Sequence, residues 1–363
     1  MPQGWRPRPA RCRPAKSRVR PPPAPGSGSR PDAALFPSPA PGSSGCGLFF
    51  THCRYAPACA MVAQKSPGPM SEALRDASDV EAMARGKHIV DILIEERAKK
   101  LITSPMWPAY RAILYPLLKE PEAKRMTDAI AAKGGEEAMA HVSSILALDA
   151  RGVGLEHIPA SGRVIIASVH PTGIADGIAM HDVLSKVRRD VVFFANRDAI
   201  RVSPGFSDIL IPVEWVLEKR TRQRSRETLI ETKKAFEAER CVVLFPSGRL
   251  AMMGADKALV EREWMTSVAI FARKYECPVV PAHIAARNSR LYYWFWKINT
   301  ELRDITLFNE LLNKKGKRFD IRFGAAISPE ALDGDPVEVT KALREHAAYD
   351  VPAGRPFVPL AAR

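Results

Sequence analysis

Along residues 87–102, Ile89, Val90, Leu93, Ile94, Ala98, Leu101 and Ile102 recur at helical spacing, with charged residues filling the other face. That period predicts an amphipathic helix with one buried stripe. The next stretch, SPMWPAYRAILYPLLKE, sets Trp107, Tyr110 and Tyr115 beside Lys and Arg. Two such helices suit either packing on a core or docking at a membrane surface. From residue 163 the pattern changes to short apolar runs alternating with helical periods. RVIIASV, DVVFFAN, RCVVLFP, CPVVPAHI and KRFDIRFGAAI read as strands. GIAMHDVLSKVRR, SRETLIETKKAFEAE, EREWMTSVAIFARKY and DPVEVTKALREHAAY read as helices. The alternation predicts an α/β fold, a mainly parallel central sheet flanked by helices and preceded by helices. The expected organisation is a tail at 1–69, a helical segment at 70–146, the α/β domain at 147–330, and a closing helix and tail at 331–363.

Charge changes the picture at the start of the chain. Residues 1–69 hold ten Lys or Arg and one acid, Asp32, so only +5 of the formal +14 belongs to the rest. The same segment carries 15 of the 31 prolines and four of the six cysteines, Cys12, Cys46, Cys53 and Cys59. Such composition does not predict a packed core. Three readings stand: a targeting peptide lacking a clear apolar block, a basic arm for an acidic partner, or sequence upstream of a true start at Met61 or Met70. The last is favoured, because MSEALRDASDVEAMARGKHIV reads as an ordinary solvated beginning. Beyond it only Cys241 and Cys277 remain, so no disulfide framework is expected and a reducing compartment is. The longest charge-free run, 33–53, is broken by Pro, Gly and Ser and does not suit a membrane span. The body is too mildly basic to predict a nucleic-acid partner.

Several motifs are missing. RGVGLEH lacks a third glycine, no phosphate-binding Gly-Lys-Ser/Thr loop occurs, and FPSGR lacks the first glycine of a nucleophile elbow. His157, His170, His181 and His283 show no ligand spacing, so no metal site is expected. His170 stands out by position. In VIIASVHPTGIADG it ends a buried strand, where α/β sites gather. The Pro171-Thr172-Gly173 turn can bring Asp176 back to the imidazole, fixing its tautomer and stabilising the imidazolium. The alternative is a strand-end histidine bonded to backbone and an aspartate that caps the following helix.

HPTGIADG, then FPSGR about 75 residues on, then CPVVPAHI, together with RNSRL and ELLNKKGKR, resemble the glycerolipid (lysophospholipid, PlsC-like) acyltransferase family, in a bacterial, haemolysin-annotated branch. The resemblance spans roughly residues 148–327. It implies transfer of an acyl group from a thioester, acyl-CoA or acyl carrier protein, to a hydroxyl of a lipid-like acceptor, with no resident cofactor. By its roles His170 is the general base and Asp176 its orienting partner, and Ser247, Gly248 and Arg249 fall in its substrate-binding block. Two departures stand out. Five residues rather than four separate His from Asp, and Ser247 replaces the usual Glu, with Arg249 and Leu250 at the Thr and Arg positions. They keep open a non-phosphate acceptor such as a lyso-aminolipid, and a non-catalytic lipid-surface binder stands as the rival from another class.

Thioester chemistry also needs cations for anionic groups. Candidates are Arg197, Lys219, Arg220, Arg222, Arg224, Arg249 and Arg287, with a solvated helix start as the alternative for EKRTRQR. RLYYWFWKI at 290–298 sets five aromatics in a row, either lining an acyl channel, lying at a lipid interface, or buried in the core. The expected location is cytoplasmic, peripheral on the inner face of the membrane.

Overall fold

A computed structural model describes residues 77–214 and 219–362. The tail at 1–69 and its expected start sites lie outside the described residues. Five helices come first: α1 (Ala77–Ala84), α2 (Ile89–Arg97), α3 (Trp107–Leu117), α4 (Glu120–Ile130) and α5 (Gly135–Leu146). Strands and helices then alternate. They are β1 (Asp149–Val153), β2 (Val164–Ser168), α6 (Ile174–Leu184), β3 (Val191–Asn196), α7 (Asp198–Val202), β4 (Leu210–Val213), α8 (Arg222–Glu237) and β5 (Cys241–Leu244). A small antiparallel hairpin, β6 (Met252–Met253) and β7 (Leu259–Val260), leads to α9 (Ser267–Lys274) and β8 (Val279–Ala285). The described chain ends with α10 (Arg290–Ile298), α11 (Thr300–Asp304), α12 (Leu307–Leu312), β9 (Arg318–Phe323) and α13 (Pro336–Glu345), and short turns after it.

The sheet runs β1-β9-β8-β2-β5-β3-β4. All its pairs are parallel except β8 with β9, so five strands share one direction and β9 and β1 oppose them. β2 sits at the centre with Ile165 between Val242 and Val279, and all five of its residues are buried. Helices on both faces explain why it is apolar at every position rather than at alternate ones. One continuous core joins Leu93 of α2, Met139 of α5 and Leu343 of α13 to the sheet, so the segments at either end of the α/β domain share its packing.

Four elements depart from the sequence expectation. The helix expected over 87–102 stops at Arg97 because the carboxylate of Glu301 on α11 takes the backbone N–H groups of Lys100 and Leu101, drawing the chain away from the helix axis. β1 reads DARGV, an exposed edge without an apolar run, and β4 carries Pro212, which an edge strand accommodates. The helix expected over 261–275 begins only at Ser267, leaving Glu261 and Trp264 in an extended segment that proves important to the site.

Candidate active site

His170 lies two residues beyond the carboxyl end of the central strand β2. Its backbone is held on both sides: its N–H donates to Glu261 Oε2 (3.1 Å) and its carbonyl accepts from Ala251 N (2.9 Å). The ring stacks on Phe245, just past β5, with centroids 4.2 Å apart. The chain then turns through Gly173, whose φ of 98° and ψ of −130° only glycine adopts at little cost. That turn carries Asp176 back beneath the imidazole. Asp176 is fully buried, and its carboxylate accepts Thr172 N (2.8 Å), Thr172 Oγ1 (2.5 Å) and Gly173 N (3.0 Å). Its Oδ2 lies 3.0 Å from His170 Nδ1, within ion-pair reach though off the line of a good hydrogen bond. The two sequence readings of Asp176 therefore coexist: it caps α6 and faces the histidine.

Glu261 is one of the residues that the sequence did not single out. It is buried, accepts from His170 N and from Trp264 Nε1 (3.0 Å), and also bonds Ser247. Burial pushes its carboxyl above the ordinary glutamate value despite those hydrogen bonds. It ties the FPSGR turn, the His170 backbone and the Trp264 indole into one unit. No spacing signal marks it, because it reaches His170 from 91 residues away.

His170 opens on a cavity of about 650 Å³. Its apolar part is formed by Met139, Ile178, Phe193, Phe206 and Leu210, between α5, α6 and the sheet. Elsewhere its wall includes four arginines: Arg97, paired with Asp198, Arg303, paired with Asp304, and Arg249 and Arg262. Arg249 is exposed, Arg262 donates to Leu250 O (3.1 Å), and both Arg262 and Arg303 lie over the Trp296 ring, at 5.8 and 5.7 Å. Burial, then the neighbouring charges of Arg249 and Arg303, hold Arg262 below the usual arginine value. The wall also carries carboxylates, but among the described residues Arg249 and Arg262 form no ion pair with them and are free to meet an anionic group.

The other expected cations fall elsewhere. Arg197 is buried in an ion pair with Glu227 of α8, and neither it nor Arg220 nor Arg224 lines the cavity. Arg220 donates to the Glu214 carbonyl and Arg224 to its carboxylate, so both hold the approach to α8. In this structure Arg197, Arg220 and Arg224 act as internal ties outside the cavity wall. Lys219 does line the cavity, bonded to Glu96. Arg287 packs near Met253 Sδ and over Tyr293, in a separate groove behind Asn288. Ser247 bonds the Arg249 carbonyl (2.8 Å), and Gly248, at φ 58°, completes the turn in the cavity wall. The aromatic helix α10 realises two readings at once: Tyr292 and Trp296 line the cavity, while Trp294 and Ile298 face out, both 56 % exposed.

A mainly parallel α/β sheet thus places a histidine and a buried aspartate just beyond its central strand, facing a largely apolar cavity with arginines in its wall. Residues 150–285 match the family described as Acyltransferase. It is similar to the lyso-glycine lipid O-acyltransferases of Phocaeicola vulgatus and Bacteroides thetaiotaomicron, at 25 % and 23 % identity over 186 residues. Those matches cover 50 % of this chain and 64 % and 66 % of the relatives, so the chain spans just under two thirds of their length. The solved structure of the 1-acyl-sn-glycerophosphate acyltransferase PlsC from Thermotoga maritima aligns with a TM-score of 0.38 and 14 % identity, over 75 % of this chain and 96 % of that one.

Proposed function

We propose that this protein transfers a fatty acyl group from an acyl thioester, carried on CoA or acyl carrier protein, to the hydroxyl of a lysolipid. The observation that carries the reading is His170, 3.0 Å from a buried and fully bonded carboxylate, in the wall of a largely apolar cavity. With Nδ1 turned to Asp176, Nε2 is the nitrogen left to take the proton of the acceptor hydroxyl. The alkoxide oxygen attacks the thioester carbon, and the tetrahedral intermediate collapses with loss of the thiolate. The imidazolium returns the proton to that sulfur. Asp176 stabilises the imidazolium between the two transfers.

For the acceptor, Arg249 and Arg262 favour an anionic headgroup, whereas Arg303 is already paired with Asp304. Ser247 in the FPSGR turn departs from the acidic residue usual for phosphate acceptors, and the named relatives act on a lyso-glycine lipid. A carboxylate-bearing lyso-aminolipid is the acceptor we put first, ahead of a lysophosphatidate. The test offers the purified protein palmitoyl-CoA with N-(3-hydroxypalmitoyl)glycine or lysophosphatidic acid, and mass spectrometry reads the products. Diacylated glycine lipid as the main product supports the reading. Phosphatidic acid as the main product reverses the acceptor, and no acylated product from either overturns it.

A lipid acceptor also calls for access to a bilayer. Among the described residues no helix is long and apolar enough to cross a membrane. The exposed stripe Met106, Tyr110, Ile113 and Leu117 on and just before α3, and Trp294 with Ile298 on α10, support docking on its surface.

A further inference from the structure

The loop between β8 and α10 holds a buried polar network that the proposed reaction does not use. Lys314 Nζ, 5 % exposed, donates to Asn288 Oδ1 (2.9 Å), the Glu310 carbonyl (3.0 Å) and carboxylate (3.1 Å), and Asn313 Oδ1 (3.0 Å). Glu310 in turn takes the N–H (2.8 Å) and hydroxyl (2.5 Å) of Ser289, the residue that caps α10. Every polar end of this cluster is satisfied except one. Asn288, 6 % exposed, leaves Nδ2 without a partner.

Chemistry fixes which end of that amide is free. An ammonium only donates, so the oxygen must face Lys314, and the N–H₂ points away from it. Asn288 lines both the groove behind the loop, together with Lys314, and the cavity that contains His170, which Glu310 lines as well. Lys314 is near enough to Asp176 to be influenced by its charge. A neutral donor locked in orientation, stripped of water and left unbonded is the arrangement expected of a group whose partner arrives with the ligand.

We propose that Asn288 Nδ2–H is a substrate-binding donor that hydrogen-bonds a carbonyl oxygen of the acyl substrates held beside His170. The proposal rests on the acyltransferase reading. The carbonyl has two sources, the donor thioester, whose oxygen gains charge as the hydroxyl attacks, or the acceptor's own amide.

Asn288→Asp keeps an oxygen for Lys314 but removes the donor. Asn288→Ala removes both, and Lys314 retains three other acceptors, so it serves as the second variant should the aspartate disturb folding. The expected result is a loss of about ten- to hundredfold in kcat/KM for both variants with melting temperature maintained. A fall in kcat with both KM values unchanged assigns the thioester carbonyl. A raised KM for N-(3-hydroxypalmitoyl)glycine, absent with 1-hexadecanol as acceptor, assigns the acceptor amide. Wild-type kinetics in a folded Asn288→Asp overturn the proposal and leave Asn288 as an anchor for Lys314. If the wild-type protein acylates nothing, the acyltransferase reading falls separately. Calorimetric binding of N-(3-hydroxypalmitoyl)glycine to wild type and Asn288→Asp then decides: weaker binding by the variant supports the donor, equal binding or none overturns it.

Discussion

At the scale of the residue, the site rests on one contact, the approach of Asp176 to His170. His170→Ala should lower acyl transfer about a hundredfold or more while leaving the melting temperature close to wild type, since the ring is part of the cavity wall and no fold-defining group. Turnover near wild type in a folded His170→Ala protein would remove histidine from the mechanism. Asp176→Asn tests more than the proton relay, because the carboxylate also caps α6 through Thr172 and Gly173. Loss of activity together with a lowered melting temperature is therefore expected, and an unchanged melting temperature would show that the cap contributes little. Arg249→Gln should raise the KM for an anionic lysolipid about tenfold and leave that for an uncharged alcohol unchanged. Equal KM changes for both acceptors would count against headgroup recognition. The His-Asp pair was legible in sequence because both partners lie in one turn. Glu261, Arg262, Arg303 and Asn288 were not, since each reaches the site from a segment distant in sequence and its role depends on a fold that no local period encodes. Charge alone misled for Arg197 and Arg224: both have carboxylate partners close in space, Glu227 and Glu214.

At the scale of the element, α6 is the piece that must be placed correctly, since it carries Asp176. Its other end is tied to α5 through His181, whose Nε2 lies 3.1 Å from Glu136 and whose Nδ1 lies 3.9 Å from Asp182. Burial opposes the charge on this ring, but the neighbouring carboxylates of Asp182 and Glu136, the latter in hydrogen-bond range, prevail and hold its pKa above the ordinary histidine value. Because the folded pKa exceeds the unfolded one, the stabilisation is fully present below about pH 6.5 and is lost as pH rises through the raised value. The difference in melting temperature between wild type and His181→Gln should be largest near pH 6 and shrink toward pH 8.5. A difference that stays flat across that range would refute the tie. The strands of the central sheet were readable because burial on both faces makes them uniformly apolar. The edges were not, because β1 and β4 face solvent or carry proline and leave no such run.

At the scale of the whole molecule, the question is how a chain with no spanning helix among its described residues meets a lipid acceptor. Trp107, an expected anchor, packs against the core and edge-on to Tyr115 at 6.4 Å, so it is not the exposed element of its helix. The exposed set is Met106, Tyr110, Ile113 and Leu117, spaced by four, three and four, with Ile113 70 % exposed. That is one helical face with no protein partner to cover it among the described residues. On α10, Trp294 and Ile298 are exposed on a helix whose Tyr292 and Trp296 line the cavity, which couples a docking face to the substrate chamber. Basic residues such as the exposed Arg222 and Arg226 would add about 1 kcal/mol each near an anionic leaflet, screened within roughly 10 Å at 0.1 M salt. Two components should thus separate in liposome co-sedimentation across a salt series. Arg222→Glu with Arg226→Glu should weaken the salt-sensitive part, which avoids the internal ties of Arg220 and Arg224. Ile113→Asp or Trp294→Ser should weaken the part that survives high salt. Binding that ignores every one of these changes, or no binding to anionic vesicles at all, would sink the surface-docking reading while leaving transfer to a detergent-solubilised lysolipid as a separate measurement.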